Sequence, residues 1–184
     1  IMYNAASKAQ SDFNASTDMM KKLYNLYDGF GQFQMQKGYQ AEGHDDAHND
    51  AGGHISERIG GVEGFKQLLA ASRRYNTEIG VHVNITEMMT DAFYPKVEYF
   101  KGFEEGSLKR NWQWYDTAFL MNEDIDLLSG ELEKRFAQLA EDTTLDGETK
   151  SALGWIYVDI YARSDWHSRQ VAEIFEKYGW WTAT

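Results

Sequence analysis

The chain has 184 residues, a formal net charge of −11, no cysteine, and 15% aromatic residues. The absence of cysteine excludes disulfides, thiolate metal sites and a cysteine nucleophile. The acidic balance disfavours a nucleic-acid partner, because phosphate backbones attract Lys and Arg, and no apolar run reaches the roughly 18 residues of a membrane span.

The first half of the chain predicts a lead-in segment, two strands, a long loop and a helix. Residues 1–20 form the lead-in segment, and residues 22–28 alternate apolar and polar side chains, which predicts a strand. A second strand-like run covers residues 31–39. Residues 40–61 are rich in Gly, His and Asp and have no apolar period, so we expect a long functional loop. Residues 62–75 carry an apolar stripe at helical spacing.

The second half predicts further alternation of strands and helices. The predicted elements are a strand at 79–85, a loop with a short helix at 87–105, a helix at 125–140, a buried strand at 154–161, a helix at 166–178 and a last strand at 180–184. Strands that alternate with helices indicate parallel β/α units. The chain stops inside a predicted strand, so we expect one partial α/β domain over residues 1–184.

Three polar residues stand out at the predicted strand ends, where β/α proteins collect their active sites. Asp159 interrupts an apolar strand between Val158 and Ile160, and a lone carboxylate there is costly unless it is paired or lies at the strand mouth. A catalytic role is the sharper interpretation, and a salt-bridged structural Asp is the alternative. His82 and Asn84 lie two residues apart and so point to one side, which is typical of substrate contacts. A hydrogen-bonded structural His is the alternative there.

The loop at residues 42–54 admits two chemical interpretations. His44, Asp45 and His48 supply nitrogen and oxygen ligands for a divalent metal, although their spacing matches no zinc signature closely. The same side chains also suit the hydroxyls of a sugar. A solvated loop without either role is the third possibility.

Two indoles, Trp112 and Trp114, lie two residues apart and suit a stacking platform or lid over a sugar ring. Packing beneath a loop is the alternative. The chain has no Gly-x-Ser-x-Gly motif, no phosphate-binding Gly-x-x-x-x-Gly-Lys and no dinucleotide-binding Gly-x-Gly-x-x-Gly.

Taken in order, the motifs resemble glycoside hydrolase family 101, the endo-α-N-acetylgalactosaminidases. The matching stretches are Lys37-Gly-Tyr-Gln-Ala-Glu-Gly-His-Asp45 with His48, Ile59-Gly-Gly-Val-Glu63, Gly80-Val-His-Val-Asn84, Trp112-Gln-Trp-Tyr-Asp116, Ile156-Tyr-Val-Asp159 and Gly179-Trp180.

The resemblance implies a (β/α)₈ TIM-type barrel, here truncated before the barrel closes, in a secreted or cell-surface bacterial enzyme without a cofactor. Such enzymes release the Galβ1-3GalNAc disaccharide from Ser or Thr of mucin-type O-glycoproteins with retention at the anomeric carbon. By resemblance Asp159 is the nucleophile, and His44, Asp45, His82 and Asn84 contact substrate. The tryptophans at 112 and 114 would close over the sugar.

A retaining mechanism also needs a general acid. The resemblance places this glutamate just beyond Thr184, with Glu42, Glu87 and Asp116 as in-chain alternatives. Two other functions stay open. One is a catalytically silent carbohydrate-binding relative, because Tyr161-Ala162-Arg163 stands where the family usually reads Trp-Gly-Asn. The other is a metal-dependent hydrolase built on the loop of His44, Asp45 and His48.

Overall fold

The computed structural model describes residues 11–41, 43, 51–88, 97–111, 117–159, 161 and 165–184. In chain order its elements are α1 (Phe13–Leu26), β1 (Gln32–Gln36), α2 (Gly61–Arg74), β2 (Thr77–Val83), β3 (Glu87–Met88), β4 (Arg110–Asn111), β5 (Ala118–Leu120), α3 (Glu123–Leu128), α4 (Glu131–Asp142), β6 (Trp155–Val158), α5 (Asp165–Lys177) and β7 (Trp181–Ala183). Short 3₁₀ turns cover Glu57–Ile59 and Val97–Tyr99.

The main sheet is parallel and has the strand order β1-β2-β6-β7. Parallel neighbours need a crossover, and α2 supplies it between β1 and β2, while α5 supplies it between β6 and β7. The connection from β2 to β6 is longer, and it carries the small strands β3, β4 and β5 together with α3 and α4. The predicted α/β class with a parallel sheet is therefore confirmed.

One face of this sheet packs on helices and forms the core. The helix α2 contributes Phe65, Leu68 and Leu69, all fully buried, against Val81 of β2 and Ile156 of β6. Burying a side chain of this size stabilises the fold by about 1.5–3 kcal/mol. The apolar stripe of α2 and the apolar runs of the two central strands therefore account for the layered packing.

The strand β1 meets α1 through polar side chains instead. The amide nitrogen of Gln32 donates to the backbone oxygen of Met20 at 3.1 Å, and that of Gln34 donates to the backbone oxygen of Ser16 at 3.3 Å. The hydroxyl of Ser16 in turn donates to the amide oxygen of buried Gln36 at 3.2 Å. Alternate residues of β1 thus attach the edge of the sheet to α1.

The opposite face of the sheet carries exposed aromatic side chains. Phe33 of β1 is 72% exposed and Trp181 of β7 is 76% exposed. Between them the indole of Trp155 lies over Gly80, where an added Cβ would stand 2.2 Å from the ring. Glycine at position 80 is therefore needed for Trp155 to lie flat on the strand.

The predicted strand at residues 22–28 is wrong, because these residues continue α1 to Leu26. The side chain of Asp12 caps the helix by accepting from the backbone N–H of Ala15 at 2.7 Å, and Phe13, Ser16 and Met20 form its buried stripe. The Asp28-Gly29 turn ends the helix with both residues at positive φ, of 54° and 79°.

The predicted helix at 125–140 is two helices, α3 and α4, separated at Ser129-Gly130. Gly130 has a φ of +78°, which a glycine adopts without the steric cost that other residues meet. The predicted helix at 62–75 is confirmed within one residue, and the strand at 79–85 begins and ends two residues earlier than predicted. In the part of the chain that the structure describes, no helix has the length and apolar character that a bilayer span requires.

Candidate active site

Three neighbouring parallel strands end at the same edge of the main sheet. Lys37 follows β1, His82 is the penultimate residue of β2, and Asp159 follows β6. Val83 pairs with Val158, and the backbone N–H of Asp159 donates to the backbone oxygen of Val83 at 2.9 Å. The ladder therefore continues as far as Asp159 and fixes its backbone beside the end of β2.

The side chains of His82 and Asp159 meet at this edge. Atom Nε2 of His82 lies 3.4 Å from Oδ2 of Asp159, and the imidazole is 3% exposed while the carboxylate is 33% exposed. The ring of Tyr157, which is opposite His82 in the ladder, lies 5.4 Å from the imidazole between centroids. Asp159 is thus accessible from the strand mouth, and His82 supports it from the buried side.

The surroundings of His82 favour its neutral form. Burial lowers the pKa of His82, the positive charge of Lys37 lowers it further, and the carboxylate of Asp159 opposes both effects. A neutral imidazole can donate one N–H to Asp159 without cancelling the negative charge of the carboxylate. This arrangement suits a carboxylate that acts as a nucleophile.

Asn84 follows β2 and is 1% exposed. Its side-chain oxygen accepts from the backbone N–H and from the hydroxyl of Thr86, both at 2.9 Å. Its side-chain nitrogen donates to Oε1 of Glu87 at 3.0 Å. These bonds fix which end of the amide is oxygen and which is nitrogen.

Glu87 is the carboxylate that the sequence raised only as an alternative general acid. It is 4% exposed, and its second oxygen, Oε2, accepts from the side-chain nitrogen of Asn111. Burial raises the pKa of Glu87, the hydrogen bonds from Asn111 and Asn84 lower it, and the charge of Asp159 raises it. The electrostatic effect of Asp159 links this buried group to the same strand edge.

A second sheet carries Glu87 and its partner Asn111. The strands β3 and β4 both pair with β5 in antiparallel register, in the order β3-β5-β4. Asn111 is the last residue of β4, and β5 begins at Ala118. The segment 112–116, with the predicted platform residues Trp112 and Trp114, lies outside the described residues, but this sheet holds the residues on either side of it.

The loop at residues 42–54, which the sequence predicts to bind a sugar or a metal, is likewise described only at its two ends. The hydroxyl of buried Tyr39 donates to the backbone oxygen of Ala51 at 2.6 Å, and Gln40 forms an antiparallel bridge with Ile55. The backbone N–H of Gly53 donates to Oδ2 of Asp142 on α4 at 2.7 Å. The loop therefore starts and ends on the core beside the candidate site.

The structure thus brings together three of the predicted site residues, Asp159, His82 and Asn84. The predicted residues His44, Asp45, His48, Trp112 and Trp114 lie outside the described residues. Within the described ranges, no cluster of three or more His, Asp or Glu side chains has the arrangement of a metal site. The roles in substrate binding and catalysis stay predictions.

Sequence reasoning missed the pairing of Glu87 with Asn111. The available signals were the position of Glu87, three residues after Asn84, and the position of Asn111, directly before the first tryptophan. Neither signal shows that the two side chains meet, because 24 residues separate them in the sequence.

Comparisons with known proteins give the chain its family. The family model described as endo-alpha-N-acetylgalactosaminidase, glycoside hydrolase family 101, matches residues 1–184. A protein of Renibacterium salmoninarum, provisionally named an endo-alpha-N-acetylgalactosaminidase, is 34% identical over 184 residues. That match covers 100% of this chain and 12% of the relative, so the chain spans about an eighth of the relative's length.

Solved structures agree on the fold. The alpha-N-acetylgalactosaminidase NagBb from Bifidobacterium bifidum, in its GalNAc complex, superposes with a TM-score of 0.75 at 17% identity, covering 98% of this chain and 31% of that one. An alpha-amylase from Lactobacillus plantarum superposes with a TM-score of 0.63 at 11% identity, covering 96% and 40%. These neighbours are TIM-barrel-like glycosidases, and at such identities they show the fold alone. The match of the family model over the full length and the 34% identity show that the chain belongs to glycoside hydrolase family 101.

Proposed function

We propose that this chain is part of a retaining endo-α-N-acetylgalactosaminidase that releases Galβ1-3GalNAc from Ser or Thr of mucin-type O-glycoproteins, with Asp159 as the nucleophile. Membership of the family supports the reaction class. The observation that carries the assignment of Asp159 is its position at the end of β6, one-third exposed and 3.4 Å from buried His82. Substrates of this kind also favour a secreted or cell-surface location.

The reaction proceeds in two displacements. An oxygen of Asp159 forms a bond to the anomeric carbon while the bond from that carbon to the Ser or Thr oxygen breaks. A protonated carboxyl group gives its proton to the departing oxygen. Water then attacks the anomeric carbon, returns a proton to the same carboxyl group and frees Asp159, so that the configuration is retained.

His82 and Asn84 act on the same side of the sugar in this proposal. His82, buried and neutral, donates to Asp159 and keeps the carboxylate oriented toward the strand mouth. Asn84 lines the sugar pocket next to His82. Thr86 holds the side-chain amide of Asn84 in place by donating two hydrogen bonds to its oxygen. The loop of His44 and Asp45 and the segment of Trp112 and Trp114 complete the pocket as predicted from the sequence.

For the general acid we propose a glutamate outside these 184 residues, as the resemblance to the family implies. Glu87 has the raised pKa that an acid needs, but both of its oxygens accept hydrogen bonds from amide nitrogens. A carboxyl group that gave its proton to a glycan would need at least one oxygen facing the glycan. Glu87 is therefore not proposed as the general acid.

We also propose that the four-stranded sheet is one arc of a (β/α)₈ barrel. The exposed face with Phe33, Trp155 and Trp181 supports this, because the inward-facing side chains of a closed barrel pack in layers and would bury large apolar groups such as these. The TIM-barrel-like neighbours support the same arrangement. Further strands of the same protein would then cover this face.

The test is hydrolysis of a Galβ1-3GalNAcα-aryl substrate by the full-length gene product. We expect NMR to show that the intact disaccharide is released as the α-anomer. The variant Asp159→Asn should lose at least about a thousandfold in kcat/KM. The matched control is Asp146→Asn, at a carboxylate that is 97% exposed, and it should leave kcat/KM unchanged.

Three results would contradict parts of the proposal. Release of free GalNAc from GalNAcα-aryl substrates in preference to the disaccharide would overturn the endo assignment. Equal activity of the Asp159 and Asp146 variants would overturn the nucleophile. Binding of the disaccharide without hydrolysis by the wild-type protein would favour the silent carbohydrate-binding relative.

A further inference from the structure

A row of three polar side chains crosses the strands β1, β2 and β6 at the candidate catalytic edge. The pairing of β1 with β2 runs to Gln36 and places the next residue, Lys37, beside His82. On the other side of β2, the ladder continues to Asp159, whose backbone N–H donates to the backbone oxygen of Val83 at 2.9 Å. Lys37 and Asp159 therefore flank His82 from its two neighbouring strands.

The side chains of this row belong to one face of the sheet. Met35 pairs with Gly80 in the ladder, and the indole of Trp155 lies over Gly80 on the face that carries the exposed aromatic side chains. Side chains two residues apart on a strand point to the same face, so Lys37 and His82 follow onto this face as the next pair. Lys37 is half-buried there, and the imidazole of His82 is 3% exposed.

The protonation state of His82 decides what Asp159 can do. A protonated imidazole would form an ion pair with the carboxylate 3.4 Å away and would weaken it as a nucleophile. A neutral imidazole donates one N–H and leaves the carboxylate charged. Burial lowers the pKa of His82, the positive charge of Lys37 lowers it further, and the carboxylate of Asp159 opposes both effects. The charge on β1 thus favours the form of His82 that suits nucleophilic attack.

We propose that Lys37 is a positioning residue for the nucleophile and that it acts through His82. Its ammonium group keeps the imidazole in the neutral form, so that His82 orients Asp159 without forming an ion pair with it. This inference rests on the proposed function, because the protonation state of His82 matters for hydrolysis only if Asp159 attacks the sugar. Lys37 is assigned no contact with the reacting atoms.

The test is the pH profile of kcat/KM for the Galβ1-3GalNAcα-aryl substrate, measured on the full-length protein and three variants. Lys37→Met removes the charge and keeps an unbranched side chain, whereas Lys37→Arg keeps the charge. Lys22→Met is the matched control, because Lys22 is exposed on α1 and the same charge is removed away from the catalytic edge.

We expect the acid limb of the profile to move to higher pH in Lys37→Met only. Without the nearby cation the imidazole takes up a proton at a higher pH, so the loss of activity grows as the pH falls. A displacement of about one pH unit would lower kcat/KM about tenfold at pH values below both midpoints. At higher pH the imidazole is neutral in both proteins, and their activities should converge. The profiles of Lys37→Arg and Lys22→Met should follow that of the wild type.

A comparison in a second background shows whether the effect passes through His82. His82→Gln supplies an amide N–H for Asp159 and removes the ring that titrates. In this background, the addition of Lys37→Met should leave the shape of the pH profile unchanged. Only the ratio of the two activities is compared across pH, so a weakly active background is sufficient.

The outcomes separate this inference from the proposed function. Absence of hydrolysis by the wild-type protein overturns the proposed function, and this inference with it. With an active wild type, a loss in Lys37→Met that is equal at every pH overturns the positioning role alone. An acid limb that is displaced equally in the His82→Gln background also overturns it, because Lys37 would then act on Asp159 directly. A loss that follows the thermal unfolding midpoint of Lys37→Met across the same pH range would assign Lys37 to stability instead.

Discussion

Asp126 and Glu87 are two of the buried carboxylates in the described part of the chain, and their surroundings differ. Asp126 on α3 is 2% exposed and faces the guanidinium of Arg135 on α4, which is 0% exposed. The two nitrogens of Arg135 donate to the two oxygens of Asp126 at 2.9 and 2.5 Å. Glu87 on β3 is 4% exposed, and the side-chain amides of Asn84 and Asn111 donate to its two oxygens.

The difference lies in how the buried charge is compensated. A bidentate Arg cancels the charge of Asp126 locally and joins α3 to α4 across the break at Gly130. The amides of Asn84 and Asn111 donate to both oxygens of Glu87, and burial together with the charge of Asp159 raises the pKa of Glu87. Breaking a buried ion pair leaves an uncompensated charge, so the loss of Asp126 should lower stability more than the loss of a carboxylate that is bonded to amides.

The largest effect on stability should come from Asp126→Asn. Arg135 would then lack its bidentate carboxylate in the core, and we expect the free energy of unfolding to fall by about 3–5 kcal/mol. The measurement is urea unfolding followed by circular dichroism. Asp124→Asn on the same helix is the matched control, because Asp124 is 67% exposed and its loss should have a far smaller effect. Similar losses in both variants would show that the buried ion pair is not a structural anchor.

Glu87→Gln should have a smaller effect on stability, and its effect should depend on pH. Because burial raises the pKa of Glu87 above its ordinary value, the native state takes up a proton at a higher pH than the unfolded state. The contribution of Glu87 to stability is therefore fully present below its ordinary pKa and is lost as the pH rises through its raised pKa. Asp159 is the charged group whose field acts on Glu87, and it strengthens this trend.

The measurement is the difference in unfolding free energy between wild type and Glu87→Gln across the range from pH 4 to 8. We expect the wild type to lose stability relative to the variant as the pH rises. A constant difference would show that Glu87 titrates alike in both states, and a difference of the opposite sign would show that its partners favour the ionised form.

The sequence points to Asp159 more clearly than to the surroundings of Asp126 and Glu87. Asp159 could be identified because it interrupts the apolar run of β6, and a single strand pattern is enough to show that. The alternation of β2, β6 and their helices comes from side chains close together in sequence, and it was predicted correctly. The part of the site that depends on local patterns could therefore be found without coordinates.

The second sheet could not be predicted, for a physical reason. Its strands β3, β4 and β5 have two or three residues each, which is too short for an alternating pattern. They form because residues 87–88 and 110–111 both find partners on β5. The contacts of Glu87 with Asn111 depend on those pairings, so the sequence raised Glu87 only as one of several alternative acids.

The strand predicted at residues 22–28 shows the opposite error, in which a local pattern was misleading. The apolar residues of this run lie at positions 23, 24, 26 and 27, and this i, i+1, i+3, i+4 spacing is that of one side of a helix. Here the cap at Asp12 and the buried stripe of Phe13, Ser16 and Met20 decide for the helix. Tertiary burial, which a short window does not contain, determines the choice.

The smallest effect on stability should come from the loss of an ion pair at the surface. This pair is the reference with which both buried carboxylates are compared. The nitrogen Nη2 of Arg73 on α2 donates to Oε2 of Glu148 at 2.7 Å, with side chains that are 55% and 34% exposed. The hydrogen bond from Arg73 lowers the pKa of Glu148, so any stabilisation is present above the ordinary pKa of Glu148 and is lost as the pH falls through the lowered one.

Salt screens exposed charges, and ordering two long side chains opposes their attraction. We therefore expect Glu148→Gln to leave the midpoint of urea unfolding at neutral pH within experimental error, both at low salt and in 0.5 M sodium chloride. A loss that approached that of Asp126→Asn would mean that exposure does not separate structural from incidental carboxylates in this fold. The contrast between Asp126 and Glu87 would then need another explanation than the compensation of buried charge.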